Sequence, residues 1–231
     1  MKVSKAFTAR HKGSCGVCTE EAQGSHVVYL NDTITHLACL PGNITPNTRK
    51  ETPPAAPRPN LAITDFVAFD TETTGLGKHD RIVTAALVHF TNGQPATATE
   101  TLINPGIAIP AAASNIHGIT TQHAREHGHD EYETLLDLVT ALDGKTVIAY
   151  NIKFDIRMLE QRLNAHGIPH PRITGHDPFT WFKQDQPQGP HRLQHACQYY
   201  GIELENWHNA TADATAAGLI AIKQTSWVPV G

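Results

Sequence analysis

The spacing of the apolar residues changes partway along the chain, and this change restricts the possible folds more than any other feature of the sequence. Short apolar runs bounded by turn residues come first, and they predict strands at residues 62–69, 81–88 and 98–103. The turns that separate them, Gly75-Leu76-Gly77 and Asn92-Gly93, are short. Strands joined by such short turns favour an antiparallel meander.

Further along the chain, apolar residues recur mainly at the spacing of a helix. This spacing predicts four helices, near residues 135–142, 152–163, 190–200 and 211–223. A short apolar run among them predicts one more strand, at residues 146–150. Strands combined with helices in this way predict an α/β fold, in which helices flank a mixed sheet.

A proline-rich segment divides the chain. Five prolines lie between Asn43 and Asn60, where there is almost nothing to bury. Such a composition predicts an extended, semi-stiff linker. We therefore expect a small module at residues 1–42, a linker at 43–61 and a main domain at 62–226.

The charge of the chain restricts its function. A formal net charge of −4 over 231 residues argues against a protein that holds nucleic acid by bulk positive charge. The acidic excess lies in residues 61–231, where bound divalent cations would offset it. No apolar run approaches the roughly 18 to 20 residues of a membrane span, and no apolar signal core follows Met1. We therefore expect a cytoplasmic protein that does not contact membranes.

Two carboxylates directly follow the first apolar strand, in the stretch Phe69-Asp70-Thr71-Glu72. Side chains two residues apart on a strand share a face, so Asp70 and Glu72 should converge at one end of the sheet. Two like charges at this distance are unfavourable unless a hard cation or a proton neutralises them. A solvated strand end is the alternative explanation for an isolated pair of this kind.

Two later segments extend the pattern. Asp155 lies on the first turn of a predicted helix that directly follows a strand, which again places a carboxylate at a sheet end. Stabilisation of the helix dipole would by itself explain an acid there. Asp213 follows His208 by five residues, and the small residues around it would let a helix approach the sheet closely. This spacing alone distinguishes His208 among the 15 histidines.

In this order, the three segments resemble the motifs of the DEDDh family of 3′ to 5′ exonucleases, which includes the proofreading epsilon subunit of DNA polymerase III. The resemblance covers roughly residues 63–224, and no catalytic position departs from the family pattern. Residues 115–120 resemble the family's His-Gly-Ile segment near the substrate terminus, and residues 190–201 resemble the helix before the last motif.

The resemblance implies a ribonuclease H-like fold and a two-metal mechanism. The implied ligands of two Mg²⁺ or Mn²⁺ ions are Asp70, Glu72, Asp155 and Asp213. Oxygen-only ligands independently favour such hard cations over zinc. His208 would be the general base, because a neutral imidazole accepts a proton near neutral pH. The residues expected to bind substrate are Thr73, His117 and Asn151, with Phe154 as a packing residue.

The first 39 residues contain three of the four cysteines. With one histidine they form two pairs of potential ligands, Cys15 with Cys18 and His36 with Cys39. Four such ligands suit one tetrahedral structural Zn²⁺ in a zinc-ribbon-like module, and the ion would supply folding energy that so short a module cannot obtain from its core. His11 and His26 compete with His36 for this role. Reduced cysteines in a flexible arm are the alternative.

The leading hypothesis is a metal-dependent 3′ to 5′ exonuclease that releases nucleoside 5′-monophosphates from DNA, in proofreading or repair. An RNA-trimming or oligonucleotide-trimming exonuclease is the alternative within the same chemistry. The alternative of another class is a binding protein with an inactive nuclease fold, and the intact set of acids argues against it. The expected partner is a nucleic-acid 3′ end, DNA rather than RNA, with a polymerase or another replication protein as a candidate.

Overall fold

The chain divides into two compact units, residues 1–57 and 58–231. The computed structural model describes these residues: 7–8, 14–15, 17–21, 23, 26–30, 33–40, 64–203 and 208–226. The predicted linker, residues 43–61, lies outside the described residues, as do His11 and the basic residues near the N-terminus. The predicted domain boundaries therefore stay a proposal.

The first unit contains a small antiparallel sheet. Its strands are β1 (Phe7–Thr8), β2 (His26–Leu30) and β3 (Thr33–His36), in the order β1-β2-β3, and a 3-10 helix spans Leu37–Cys39. The apolar stretch Val27-Val28-Tyr29-Leu30, which by itself predicts a strand, lies in β2. The register pairs Val27 with His36, so the end of β3 lies beside the start of β2.

The second unit is built from five strands and seven helices among its described residues. The strands are β4 (Phe66–Thr73), β5 (Ile82–Thr91), β6 (Gln94–Leu102), β7 (Lys145–Ile148) and β8 (Ile173–His176). The helices are α1 (Ala111–His117), α2 (Thr121–His127), α3 (Glu131–Leu142), α4 (Ile152–His166), α5 (Pro178–Asp185), α6 (Leu193–Tyr200) and α7 (Ala210–Ser226).

The strands form one mixed sheet in the order β6-β5-β4-β7-β8. Strands β4, β5 and β6 are antiparallel neighbours, which confirms the predicted meander, whereas β7 pairs in parallel with both β4 and β8. The pairing of β7 with β4 involves only the first half of β4, because β7 ends at Ile148. Among the described strands, the second half of β4, which carries the predicted acids, therefore pairs with β5 alone.

Helices cover both faces of this sheet, as the ribonuclease H-like prediction requires. Helices α3 and α4 pack on the face that contains Phe69, whereas α7 packs on the face that contains Ala68 and Ala86. Helix α7 approaches closely because its contact residues are small. A Cβ atom on Gly218 would come within 2.5 Å of the Phe90 ring.

Several elements differ from the prediction. Helices α1, α2 and α5 and strand β8 were not predicted, because each has at most eight residues and shows too few apolar repeats to define a period. Helix α6 begins at Leu193 rather than at Pro190, with Arg192 as its N-cap residue. Within the described parts of the chain, none of the helices combines the length and the hydropathy that a membrane crossing needs.

Candidate active site and metal-binding clusters

Three of the four predicted acids meet on one face of the sheet. Asp70 and Glu72 lie two residues apart on β4, and Asp213 lies in the first turn of α7, which covers the same face. One carboxylate oxygen from each of these residues lies within 4.8 Å of the others. An oxygen of Asp213, Oδ1, is buried and has no hydrogen-bond partner in the part of the chain that the structure describes. We call these three residues the acid cluster.

The fourth acid, Asp155, lies beside the acid cluster rather than within it. Its Oδ1 accepts hydrogen bonds from the backbone N of Thr71 at 3.1 Å and from the Thr71 hydroxyl at 2.8 Å. This backbone N is available because β7 has ended and none of the described strands pairs with β4 on that side. The buried Asp155 is still close enough to Asp70 for its charge to raise the pKa of that residue.

Burial raises the pKa of every acid at this site, and repulsion from neighbouring acids adds to this effect for Asp70 and Glu72. Burial, then the charges of Asp155, Asp213 and Glu72, hold the pKa of Asp70 well above its usual range. Burial and the neighbouring acids raise the pKa of Glu72 to about 8. Burial raises the pKa of Asp155 to about 7, although hydrogen bonds from Thr71 oppose this effect. Burial also raises the pKa of Asp213 to about 6, although His208 opposes this effect.

These features fit a hard divalent cation. The donor atoms are all oxygens, they converge within the reach of one ion, and one of them has no other partner. Repulsion among four carboxylates is unfavourable near neutral pH unless protons or cations neutralise it. Asp70, Glu72 and Asp213 would hold such a cation, because their oxygens are the ones that converge.

The general base predicted from the sequence, His208, lies near Asp213. Its side chain is exposed, and its backbone adopts a left-handed conformation with φ of 64°. Both the charge and the backbone N–H of His208 lower the pKa of Asp213. The structure therefore places His208 at the edge of the acid cluster, on the side open to solvent.

Without a divalent cation, the protein is expected to become less stable as the pH rises from about 4 to about 8. The raised pKa values mean that these four acids hold more protons in the folded protein than in the unfolded chain over this range, so through them a rise in pH favours the unfolded chain. The lowered pKa values of His117 and His176 act in the opposite direction, but they are fewer than the acids. Thermal unfolding at about pH 5 and about pH 8 in metal-free buffer checks this. Added Mn²⁺ and the variant Asp70→Asn should each reduce the difference in Tm. A Tm that does not change with pH would contradict the expectation.

A largely apolar groove with a volume of about 380 Å³ adjoins the acid cluster. Two of the predicted substrate-binding residues line it, Thr73 and His117, together with Glu72 from the cluster. Nδ1 of His117 accepts a hydrogen bond from the backbone N of Ile119 at 3.1 Å, which leaves the proton of the neutral ring on Nε2. This Nε2 is buried and has no hydrogen-bond partner among the described residues.

The third predicted substrate-binding residue, Asn151, is not part of this groove lining. It has a left-handed backbone at the N-cap position of α4, but its side chain makes no capping hydrogen bond. Its backbone N instead donates to Oδ1 of Asp177 at 2.9 Å. A contact between Asn151 and substrate stays a proposal.

Two residues at the site, Leu76 and Glu100, were not expected from the sequence to contribute to it. Leu76 is highly exposed and lines the groove together with Phe154, which was expected as a packing residue. Glu100, on β6, accepts hydrogen bonds from the first turn of α7. No local signal distinguishes Glu100, because a single acid on an exposed edge strand has the pattern of a solvated face.

The four predicted zinc ligands also meet, in the first unit. Their ligand atoms all lie within 4.8 Å of one another: Cys15, Cys18, His36 and Cys39. All four cysteines of the chain are free thiols rather than disulfides. Sγ of Cys18 lies 3.2 Å from Nδ1 of His36.

The backbone around Cys15 stabilises a thiolate. Its buried Sγ accepts hydrogen bonds from the backbone N atoms of Val17 and His36, each at 3.4 Å. Burial would raise the pKa of Cys15, but backbone hydrogen bonds outweigh this effect and lower the pKa to about 6. A thiolate is the form of cysteine that binds metal, so this cluster fits a soft or borderline cation.

The chain is similar to a segment of much longer bacterial polymerases. It is 29% identical to the PolC-type DNA polymerase III of Lacticaseibacillus paracasei over 167 residues. This aligned region covers 70% of this chain and 11% of that protein. The corresponding protein of Halalkalibacterium halodurans is 30% identical over 161 residues, or 68% of this chain and 11% of that protein. The chain thus matches about a tenth of the length of these curated relatives.

Solved structures and a family model agree with the fold. Exonuclease I from E. coli, in a zinc-bound complex with single-stranded DNA, has a TM-score of 0.61 and 22% identity over 69% of this chain and 40% of that chain. Its complex with a dT13 oligonucleotide has a TM-score of 0.60 and 22% identity, over 70% and 40% of the two chains. The model of the RNase T exonuclease family matches residues 67–221. Residues 67–221 thus form an exonuclease domain, and the chain belongs to the RNase T exonuclease family.

Proposed function

We propose that this protein is a metal-dependent 3′ to 5′ exonuclease that hydrolyses terminal phosphodiester bonds of DNA and releases nucleoside 5′-monophosphates. The observation that carries the proposal is the acid cluster at the mouth of an apolar groove. Glu72 belongs to both, so a nucleotide in the groove would place its phosphate at the acids. The family match supports nuclease chemistry at this position.

Each residue of the site has a distinct role in this proposal. The acids Asp70, Glu72, Asp155 and Asp213 would hold two divalent cations, Mg²⁺ or Mn²⁺. When bound, such cations supply an activated water and stabilise charge on the attacking and leaving oxygens. His208 would accept the proton of the attacking water and release it to solvent, for which its exposed position is suitable.

The groove suits the terminal nucleotide. Its volume of about 380 Å³ falls in the range of small-molecule sites, and its lining is mainly apolar. A base would lie against Leu76 and Phe154, and the Nε2–H of His117 would donate a hydrogen bond to the sugar or phosphate. Thr73 donates its hydroxyl proton to the Gly75 carbonyl at 2.8 Å, so it would shape the wall rather than bind substrate through this hydroxyl.

DNA is the proposed substrate because the relatives are DNA polymerases by name and the fold is shared with an exonuclease solved with single-stranded DNA. Proofreading or repair would follow if a polymerase or another replication protein were its partner. An RNA-trimming enzyme would use the same acids, so the sugar preference must be measured.

The proposal is tested with DNA and RNA oligonucleotides of matched sequence that carry a 5′ label. Incubation with Mg²⁺ or Mn²⁺ should shorten the DNA stepwise from its 3′ end and release 5′-monophosphates. Mismatched and paired 3′ ends then test proofreading. Faster shortening of RNA would favour the trimming enzyme, whereas no metal-dependent release from either sugar would favour an inactive nuclease fold.

For the first unit we propose a structural Zn²⁺ held by its Cys-His cluster. All four ligands come from the protein, so no position stays open for substrate, as is usual in structural sites. The described core of this unit is small, with Cys15 and Val27 as its buried apolar residues. Metal binding would therefore supply much of its folding free energy.

Removal of this zinc is expected to unfold the first unit. Purified protein should contain one zinc per chain, and Cys18→Ser or Cys39→Ser should lose it, because a structural site needs all four ligands. Elemental analysis measures the zinc, and amide spectra of residues 14–40 report the folding. Cys197→Ser is the matched control, because Cys197 is buried between helices of the second unit. Zinc-free protein with intact amide spectra would refute the proposal.

A further inference from the structure

Glu100 forms a compact set of hydrogen bonds with the start of α7. Its Oε2 accepts from the Thr211 hydroxyl at 2.6 Å and from the Thr211 backbone N at 3.1 Å. The Asn209 side chain donates to the same carboxylate through Nδ2 at 3.2 Å. Oδ1 of Asn209 also accepts from the Ala212 backbone N at 3.0 Å, which is the contact of an N-cap. One exposed carboxylate thus satisfies three donors at this helix end.

The sheet register explains how Glu100 reaches the helix. Glu100 pairs with Ala86 on β5, and Ala86 pairs with Asp70 on β4, so the three residues form a row across the sheet. Paired residues project from the same face, so Glu100 and Asp70 both face α7. Strands lie about 4.8 Å apart, which separates Glu100 from Asp70 by about 10 Å. Glu100 is therefore placed beside the acid cluster.

Ala86, which lies between Glu100 and Asp70 in this row, has a small side chain that lets α7 approach the sheet. Ala86 is fully buried and packs with Ala210 and Ala214 of α7. A larger side chain at position 86 would hold the helix away from the sheet and Asp213 away from Asp70. This contact sets the distance of α7 from the sheet, but alanines form a smooth surface and do not fix the rotation of the helix or its position along the strands.

Glu100 supplies the directional contact that the alanines lack. It bonds to Asn209, which directly follows His208. It also bonds to Thr211, which lies two residues before Asp213. An anionic carboxylate at a helix N-terminus also interacts favourably with the helix dipole. We propose that Glu100 is a positioning residue, which holds the first turn of α7 so that Asp213 stays in the acid cluster and His208 at its edge. This role rests on the proposed function of that cluster.

The proposal is tested by the affinity for Mn²⁺, measured by calorimetric titration, with nuclease turnover as a second readout. Glu100→Ala should weaken Mn²⁺ binding by about tenfold or more, as residues that orient metal ligands typically do. It should lower kcat by a similar factor and leave KM for the oligonucleotide nearly unchanged, because the groove is lined by other residues. Glu100→Gln, which keeps one acceptor oxygen, should lie between wild type and Glu100→Ala.

A second pair of variants tests the same contact from the helix. Thr211→Val removes the hydroxyl donor and should weaken Mn²⁺ binding, whereas Thr211→Ser keeps the donor and should bind as the wild type does. If Glu100→Ala does not fold, the two Thr211 variants still test whether the contact between Glu100 and Thr211 positions α7. The control is Glu133→Ala, an exposed glutamate on α3, which packs on the opposite face of the sheet.

Two results would overturn the role of Glu100. They are wild-type Mn²⁺ affinity in both Glu100→Ala and Thr211→Val, and an equal loss of affinity in Glu133→Ala. Failure of the proposed function looks different. A wild-type protein that binds Mn²⁺ but shortens no oligonucleotide would refute the exonuclease, and the affinities of the variants would still decide whether Glu100 positions α7.

Discussion

Asp70→Asn is expected to lower turnover on a DNA oligonucleotide by about a thousandfold or more, since the loss of about 4 kcal/mol of transition-state stabilisation by a bound cation has this effect. The substitution replaces a carboxylate with a neutral group of the same shape, so the strand should keep its packing. Asp70 is close enough to Glu72, Asp155 and Asp213 for their charges to raise its pKa, so a cation bound by these acids would lie near Asp70.

The same substitution should stabilise the metal-free protein. Burial and three neighbouring acids disfavour the charged form of Asp70, and an amide removes this repulsion. Thermal unfolding in metal-free buffer and single-turnover cleavage with Mg²⁺ measure the two effects. Asp65→Asn is the matched control, because Asp65 is exposed and directly precedes the same strand. Near-normal turnover in Asp70→Asn would remove Asp70 from the metal site.

His208→Ala is expected to lower turnover by about a hundredfold to ten-thousandfold, the range for loss of a general base. Mn²⁺ affinity at about pH 8 should change little, because the imidazole is not one of the three clustered oxygen ligands. At lower pH the variant should bind Mn²⁺ more weakly. The charge of His208 lowers the pKa of Asp213, so without it Asp213 holds its proton more tightly.

Chemical rescue separates a base from a structural residue. Added imidazole should restore part of the activity of His208→Ala, because the position is exposed and a small base can enter. It should have no effect on Asp70→Asn, which lacks a metal ligand rather than a base. The exposed histidine on α2, changed in His123→Ala, controls for general loss of imidazole groups. An unchanged rate in His208→Ala would assign proton transfer to another group.

Much of the fold was predictable because it depends on local periodicity. The apolar runs of β4 and β5 and the helical stripes of α3 and α4 are visible within windows of about ten to fifteen residues. The acids on β4 could be placed on one face, since alternation along a strand is a local rule. The Cys-His cluster was predictable for the same reason, because its ligands occur in two close pairs.

Short elements were missed because their stability is not local. Helices α1 and α2 have seven residues each, too few to be stable or recognisable alone, and they form because Val83, Ala113 and Ala124 pack together. The groove that α1 helps to line was therefore invisible in the sequence. Of the residues that α1 contributes to the groove, only His117 was anticipated, through a family resemblance rather than through periodicity.

The sequence by itself determined which residues could form a metal site: acids at strand ends, a histidine five residues before an acid, and paired cysteines. Tertiary structure alone decided how they meet. Asp155 bonds to Thr71 across 84 residues, and Glu100 bonds to Thr211 across 111. Such contacts depend on the end of β7, the register of the sheet and the close approach of α7. These are set by packing between distant segments, which no local pattern of residues encodes.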